Sequence, residues 1–92
     1  MGLENAPLAY KAKKLIIKMT EKGRQMIYLT LPARFIRVIS QMIPEALSEV
    51  LQKAGVDIGA LEQKYTAQPI MPGSVLALAI PERDQEVLFY LI

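Results

Sequence analysis

The side chains able to do chemistry in this chain are few, and the missing types decide more than those present. None of the 92 residues is a histidine or a cysteine. That removes the usual general base, the near-neutral proton switch, the thiolate nucleophile, disulfides and the commonest transition-metal ligands. Four groupings remain. Tyr28 and Tyr90, with Lys14 and Lys18 nearby, are aromatics and cations of the kind that stack and neutralise single-stranded bases on a sheet. Lys14, Lys18, Arg34 and Arg37 form a candidate anion-binding set. Glu82, Asp84 and Glu86 offer oxygen ligands to a hard cation. "AGVDIG" carries two glycines, Gly55 and Gly59, of the kind found in phosphate loops.

Each grouping has a plainer reading. The glycine-aromatic signature of an RNA-recognition strand is absent and the flanking residues are aliphatic, so the tyrosines read first as packing groups. Arginines spaced like Arg34 and Arg37 usually mark a solvated helix face. The three acids lack calcium-loop spacing and its glycine, and are expected to keep a hairpin tip soluble and its edge unattractive to other strands. No strand precedes the glycines and no Walker lysine follows, so Gly55 reads as a helix stop. No catalytic residue, metal site or cofactor is predicted.

These residues sit on elements that the periodicity makes legible. From Lys13 the chain alternates, with Leu15, Ile17 and Met19 on one side and Lys14, Ile16 and Lys18 on the other. After the glycine turn in "TEKGRQ", Ile27, Leu29 and Leu31 alternate with Met26, Tyr28 and Thr30, which completes a hairpin. The period then changes: Phe35, Ile39 and Met42, with Ile36 and Ile43 beside them, predict an α-helix opened by Pro32 and ended by Pro44. Leu47, Val50, Leu51 and Ala54 predict a second helix, closed by Gly55 in a left-handed conformation with Val56 as its apolar partner. Asp57 is a predicted N-cap for a short third piece ending near Tyr65. Residues 75–80 and 86–92 predict a second hairpin around "PERDQ".

The order is β-β-α-α-β-β with a short extra helical piece, which predicts an α+β domain: one four-stranded sheet with helices on one face. "VLFYLI" lacks polar alternation, as strands buried on both faces do. It is therefore expected at the sheet centre, parallel to the first strand, in a mixed sheet of β-grasp-like order 2-1-4-3. With Leu15, Ile17, Phe89 and Leu91 under the helices, the outer face would carry Ile16, Met26, Tyr28, Val75, Ala77, Ala79, Leu88, Tyr90 and Ile92. A contiguous apolar patch of that kind is rare on a monomer. Ile16, Met26, Tyr28, Leu88, Tyr90 and Ile92 are therefore the candidate interface residues. The expected partner is a second copy meeting them across a two-fold, or failing that another protein.

Length allows one core. Residues 1–12 are read as a flexible leader and 13–92 as the domain. No apolar run approaches the roughly 20 residues of a membrane-spanning helix, and "MGLENAPLAYKAKK" has no long apolar segment of the secretory kind. A cytoplasmic location is therefore expected. The net charge of +2 is unevenly spread, +6 over residues 1–43 and −4 over residues 44–92. Such asymmetry suits an anionic partner or subunits that meet through opposite-sign surfaces.

The run "KKLIIKMTEKGRQMIYLTLPARFIRVISQMIPEALSEVLQKAGVDI", followed by "PGSVLALAIPERDQEVLFYLI", resembles a small bacterial domain at the start of SHOCT-like and envelope-stress proteins. The resemblance covers about residues 13–92. It rests on the opening hairpin, Leu31–Pro32 before an apolar helix, Ile43–Glu45, Ala54–Ile58, and a closing hairpin with an acidic turn. It implies a protein-interaction or regulatory module. The expected function is non-catalytic: an oligomerisation module, with a nucleic-acid or anionic-surface adaptor using the basic half as the alternative.

Overall fold

The computed structural model describes residues 11–92. Strand β1 spans Lys14–Glu21 and β2 spans Arg24–Pro32. Lys22 and Gly23 join them, both in the left-handed region with φ of 52° and 76°. Positive φ at both central positions is what a two-residue turn needs to match the twist of its strands. A 3₁₀ segment, Ala33–Gln41, follows, then helix α1, Glu45–Lys53, and helix α2, Ile58–Thr66. Strand β3, Gly73–Ile80, and strand β4, Gln85–Leu91, are joined by a short 3₁₀ turn, Pro81–Arg83.

The four strands form one sheet in the order β2-β1-β4-β3, with β4 at the centre beside β1. Every neighbouring pair is antiparallel. The mixed, β-grasp-like sheet with β4 parallel to β1 is thus corrected. The reason lies in the helical connection. Lys14 pairs with Pro32, and Leu91 pairs with both Leu15 and Gly73, so β2 ends and β3 begins at the same end of the sheet. The helical block leaves that end and returns to it. A single pass along the sheet would have delivered β3 to the far end and made β4 parallel to β1.

The segment after β2 also departs from expectation. It is not an α-helix but two 3₁₀ pieces meeting at Val38, whose φ of −132° and ψ of 32° are non-helical. Its buried residues are Ala33, Ile36 and Ile39. That spacing of three is the 3₁₀ repeat rather than 3.6. Ile36, Val38 and Ile39 are β-branched, stiff against a preceding α turn. The next boundaries follow the predicted chemistry. Val56 N–H donates to the Leu51 carbonyl at 2.9 Å and Gly55 N–H to that of Gln52 at 3.0 Å, with Gly55 at φ 83°. These are the paired bonds of a left-handed helix stop. Asp57 Oδ1 accepts from the Ala60 N–H at 3.1 Å, capping α2. The Asp57 carboxylate thereby occupies the position a phosphate would need at "AGVDIG".

The core gathers Leu15, Ile17 and Met19 of β1 and Val87, Phe89 and Leu91 of β4 with Ile36, Ile39, Leu47, Leu51 and Tyr65 from the helical segments. Leu76, Leu78 and Ile80 of β3 and Ile27, Leu29 and Leu31 of β2 pack on it. Val75, expected on the outer face, packs on this core as well. A register shift between Ser74 and Leu76 breaks the alternation there. Of the expected leader, residues 1–10 lie outside the described residues. Ala12 and Lys13 are tied in: their N–H groups donate to the carbonyls of Ile70 at 2.9 Å and Ile92 at 2.7 Å.

Candidate functional site

The register places the predicted interface residues in cross-strand rows on the second sheet face. Across β2, β1, β4 and β3 one row reads Thr30, Ile16, Tyr90 and Ser74; the next reads Tyr28, Lys18, Leu88 and Ala77. A third reads Gln25, Thr20, Glu86 and Ala79. Met26 stands beside this last row at the β1–β2 register shift. Ile92 follows β4 at the end near Lys14, whose carbonyl accepts from the Ile92 N–H at 3.0 Å.

The face is not uniformly wet. Met26, Tyr28 and Ile92 are 56%, 49% and 53% exposed, while Leu88 and Tyr90 are half-buried. Ile16 is only 3% exposed although it lies outside the main core. It sits on a central strand between Thr30 and Tyr90, with Lys14 and Lys18 two residues to either side. Lys18 Nζ lies 5.9 Å from the Tyr28 ring centroid, within cation–π range.

Relief across the face is graded. The β2 side carries the tall side chains Met26 and Tyr28, and the β3 side carries the low ones, Ser74, Ala77 and Ala79, all exposed. Both edges are ill suited to strand addition. Strand β2 has its register shift at Met26 and ends on Pro32, and β3 has its own at Val75 and runs into Pro81. Bulges and prolines are standard protection against edge pairing.

The basic set is divided. Lys14 and Lys18 lie on the second face, whereas Arg34 and Arg37 belong to the 3₁₀ segment. Arg37 Nε donates to the Tyr65 carbonyl at 2.8 Å, and the Arg34 guanidinium lies 5.0 Å from the Phe35 ring centroid. Arg37 therefore joins the 3₁₀ segment to α2. Ser40 does so too, its N–H and Oγ donating to Glu62 Oε2 at 2.8 and 2.7 Å. The three acids are also spread out: Glu82 in the short turn, Asp84 in a left-handed conformation after it, Glu86 on the second face. Among the described residues no group of three carboxylates is placed to hold a metal ion, and no helix is long and apolar enough to cross a membrane.

Gln85 escaped the sequence reading. It is 7% exposed, its Nε2 donates to Glu21 Oε1 at 3.0 Å, and its Oε1 is buried without a partner. The signal was present: Gln85 occupies the same alternate positions of β4 as Val87, Phe89 and Leu91, so period two places it inward. No family model matches the chain, and neither a curated protein nor a solved structure matches it.

Proposed function

We propose that the helices leave the second sheet face uncovered and that this face is a protein–protein interface whose first occupant is a second copy of the chain. On this reading the chain is a non-catalytic oligomerisation module, and the resemblance to SHOCT-like and envelope-stress domains points the same way. The observation that carries it is the step in relief: tall Met26 and Tyr28 along β2, low Ala77 and Ala79 along β3. A two-fold axis running along the strands, between β1 and β4, lays the high side of each protomer over the low side of the other. Such self-complementarity is what an isologous interface requires. The same axis sets Lys18 one row from Glu86 of the partner subunit, so the opposite charges on the face are brought towards each other.

Size sets the expected strength. Four strands about 4.8 Å apart and about 24 Å long present a rectangle of roughly 450 Å². Two such faces bury about 900 Å², the lower edge of specific interfaces, which favours a weak, concentration-dependent dimer over an obligate one. Sedimentation velocity of the full chain over a micromolar series tests this. The expected result is a reversible monomer–dimer equilibrium that Tyr90→Glu abolishes while the far-ultraviolet circular dichroism stays unchanged. A wild-type chain that remains monomeric at several hundred micromolar refutes the reading, as does a Tyr90→Glu chain that dimerises as before.

A further inference from the structure

At the end of the sheet where β2 finishes and β3 begins, the chain enters β1 from the helical side. Lys14, Ile16 and Lys18 face the second side of the sheet, and alternation would put Ala12 with them. Instead Ala12 is half-buried against the core. The alternation breaks at Lys13 and Lys14, whose N–H groups both donate to the Ile92 carbonyl, at 2.7 and 3.1 Å. One residue earlier the Ala12 N–H donates to the Ile70 carbonyl at 2.9 Å. The residues before Ala12 are thereby delivered beside the loop that leads into β3, and not across the second face.

That loop is grooved. Tyr65, Gln68, Pro69, Met71, Pro72 and Ser74 are among the residues lining a cavity of about 320 Å³, and Ile70, which receives Ala12, stands between two of its walls in the sequence. Tyr65 is buried, whereas Pro69 and Pro72 are exposed and Met71 is 38% exposed. We propose that this groove is filled by the segment Pro7–Tyr10 of the same chain, which precedes the described residues, with the Tyr10 ring against Met71 and the two prolines.

Reach and phase select the occupant. Tyr10 is two residues from Ala12 and Leu8 is four, spans of about 7 and 13 Å in extended chain. In such a chain Leu8, Tyr10 and Ala12 share one side, and the side Ala12 takes is the one turned to the core. Pro7 favours the extended approach this needs. An aromatic ring beside a thioether gains contact energy of its own, and Gln68 and Ser74 offer polar groups to the Tyr10 hydroxyl. A pocket lined by Val50, Lys53, Leu78 and Glu82 opens between α1 and the β3–β4 turn, but it lies at the other end of strands about 24 Å long, beyond the reach of Leu8. A segment anchored in the groove covers this end of the core and leaves the second face free for a second copy, so the inference stands apart from the dimer reading.

NMR of the full chain tests it. Nuclear Overhauser contacts are expected between the Tyr10 ring and the Met71 methyl, with backbone order parameters of about 0.8 at residues 8–10. Tyr10→Ser should lower those order parameters below about 0.6. It should also speed amide exchange at Ala12 about tenfold, because the hydrogen bond to Ile70 is the next to open. Met71→Ser, a change at an exposed position, should do the same from the groove side, and neither variant should alter the far-ultraviolet circular dichroism. In a mixture of labelled and unlabelled chains the contacts should be intramolecular, and in Tyr90→Glu they should persist. Contacts that cross between chains place another copy's segment in the groove and overturn the proposal. So do order parameters below about 0.6 at residues 8–10 of the wild type, Ala12 exchange unchanged in Tyr10→Ser, or loss of the contacts in Tyr90→Glu.

Discussion

Both faces of the sheet are built by the same four strands and the same alternation, and both are largely apolar, yet they are apolar in different ways. On the core face Leu15, Ile17, Val87, Phe89 and Leu91 are sealed against helical side chains. On the second face only Ile16 is fully buried, Leu88 and Tyr90 are half-buried, and Met26, Tyr28 and Ile92 are open to solvent. Hydrophobic composition alone does not distinguish a core from an interface. What distinguishes them is whether helical side chains close over the strands, as they do over Leu15 and Phe89 on the first face, or large apolar groups keep about half their exposure, as Met26 and Tyr28 do on the second.

The largest effect that can break this contrast comes from adjacent residues of β4. Phe89 is fully buried in the core and Leu88, one residue earlier, is half-buried on the second face. Phe89→Ala is expected to cost about 3–5 kcal/mol, from lost transfer energy and the cavity left behind. That is a large share of the roughly 5–15 kcal/mol available to a domain of this kind. Leu88→Ala should cost less than about 1 kcal/mol in the monomer and appear mainly as weaker self-association. Urea unfolding at low protein concentration, where monomer dominates, measures both. Equal costs would mean that the second face is as internal as the first.

A smaller effect separates relief from plain hydrophobicity. Ala77 is exposed on edge strand β3, on the low side of the second face. Ala77→Tyr adds apolar surface and favours strand conformation, so its effect on folding should stay within about 0.5 kcal/mol. If the face associates merely because it is greasy, the variant dimerises more tightly. If the high side of one protomer must enter the low side of the other, the new ring fills that space and dimerisation weakens about tenfold or more. Sedimentation velocity at matched concentrations decides between the two.

Much of this architecture was legible in the residues because its punctuation is local. Gly55 followed by Val56, and Asp57 before an apolar helix, act within a few residues of themselves, and each does in the structure what its chemistry predicts. The position of β4 beside β1 was read from its continuous apolar run, but edge strand β3 is as apolar over residues 75–80, so such a run does not by itself place a strand at the centre. The direction of β4 was not legible. Direction depends on whether the helical connection crosses the sheet once or goes out and back, and no pattern within β4 encodes that. The 3₁₀ segment was missed because Phe35, Ile39 and Met42 satisfy an α period while Ala33, Ile36 and Ile39 satisfy a period of three, and packing chose the latter. Val75 was misplaced because a bulge shifts alternation without leaving a mark in composition. For the candidate sites, the six interface residues could be grouped from alternation alone. The pocket lined by Val50, Lys53, Leu78 and Glu82 could not, because α1 and the β3–β4 turn are brought together only by the tertiary fold.

The finest contrast concerns what keeps the two faces from exchanging places. A one-residue slip in β1–β2 pairing would turn every side chain of β2 to the other side, so the register at the turn sustains the difference between the faces. That turn places Lys22 at φ 52°, where a side chain with a Cβ is strained and asparagine is better tolerated. The Lys22 N–H also donates to the Asp84 carbonyl at 2.8 Å, tying the two hairpin turns together. Lys22→Asn keeps that backbone donor and relieves the strain, so it should stabilise the fold by about 0.5 kcal/mol and leave self-association unchanged. Thermal unfolding should show a rise of a few degrees. A drop would mean that the lysine side chain, rather than the backbone it occupies, holds the turn, and that register is set elsewhere along the strands.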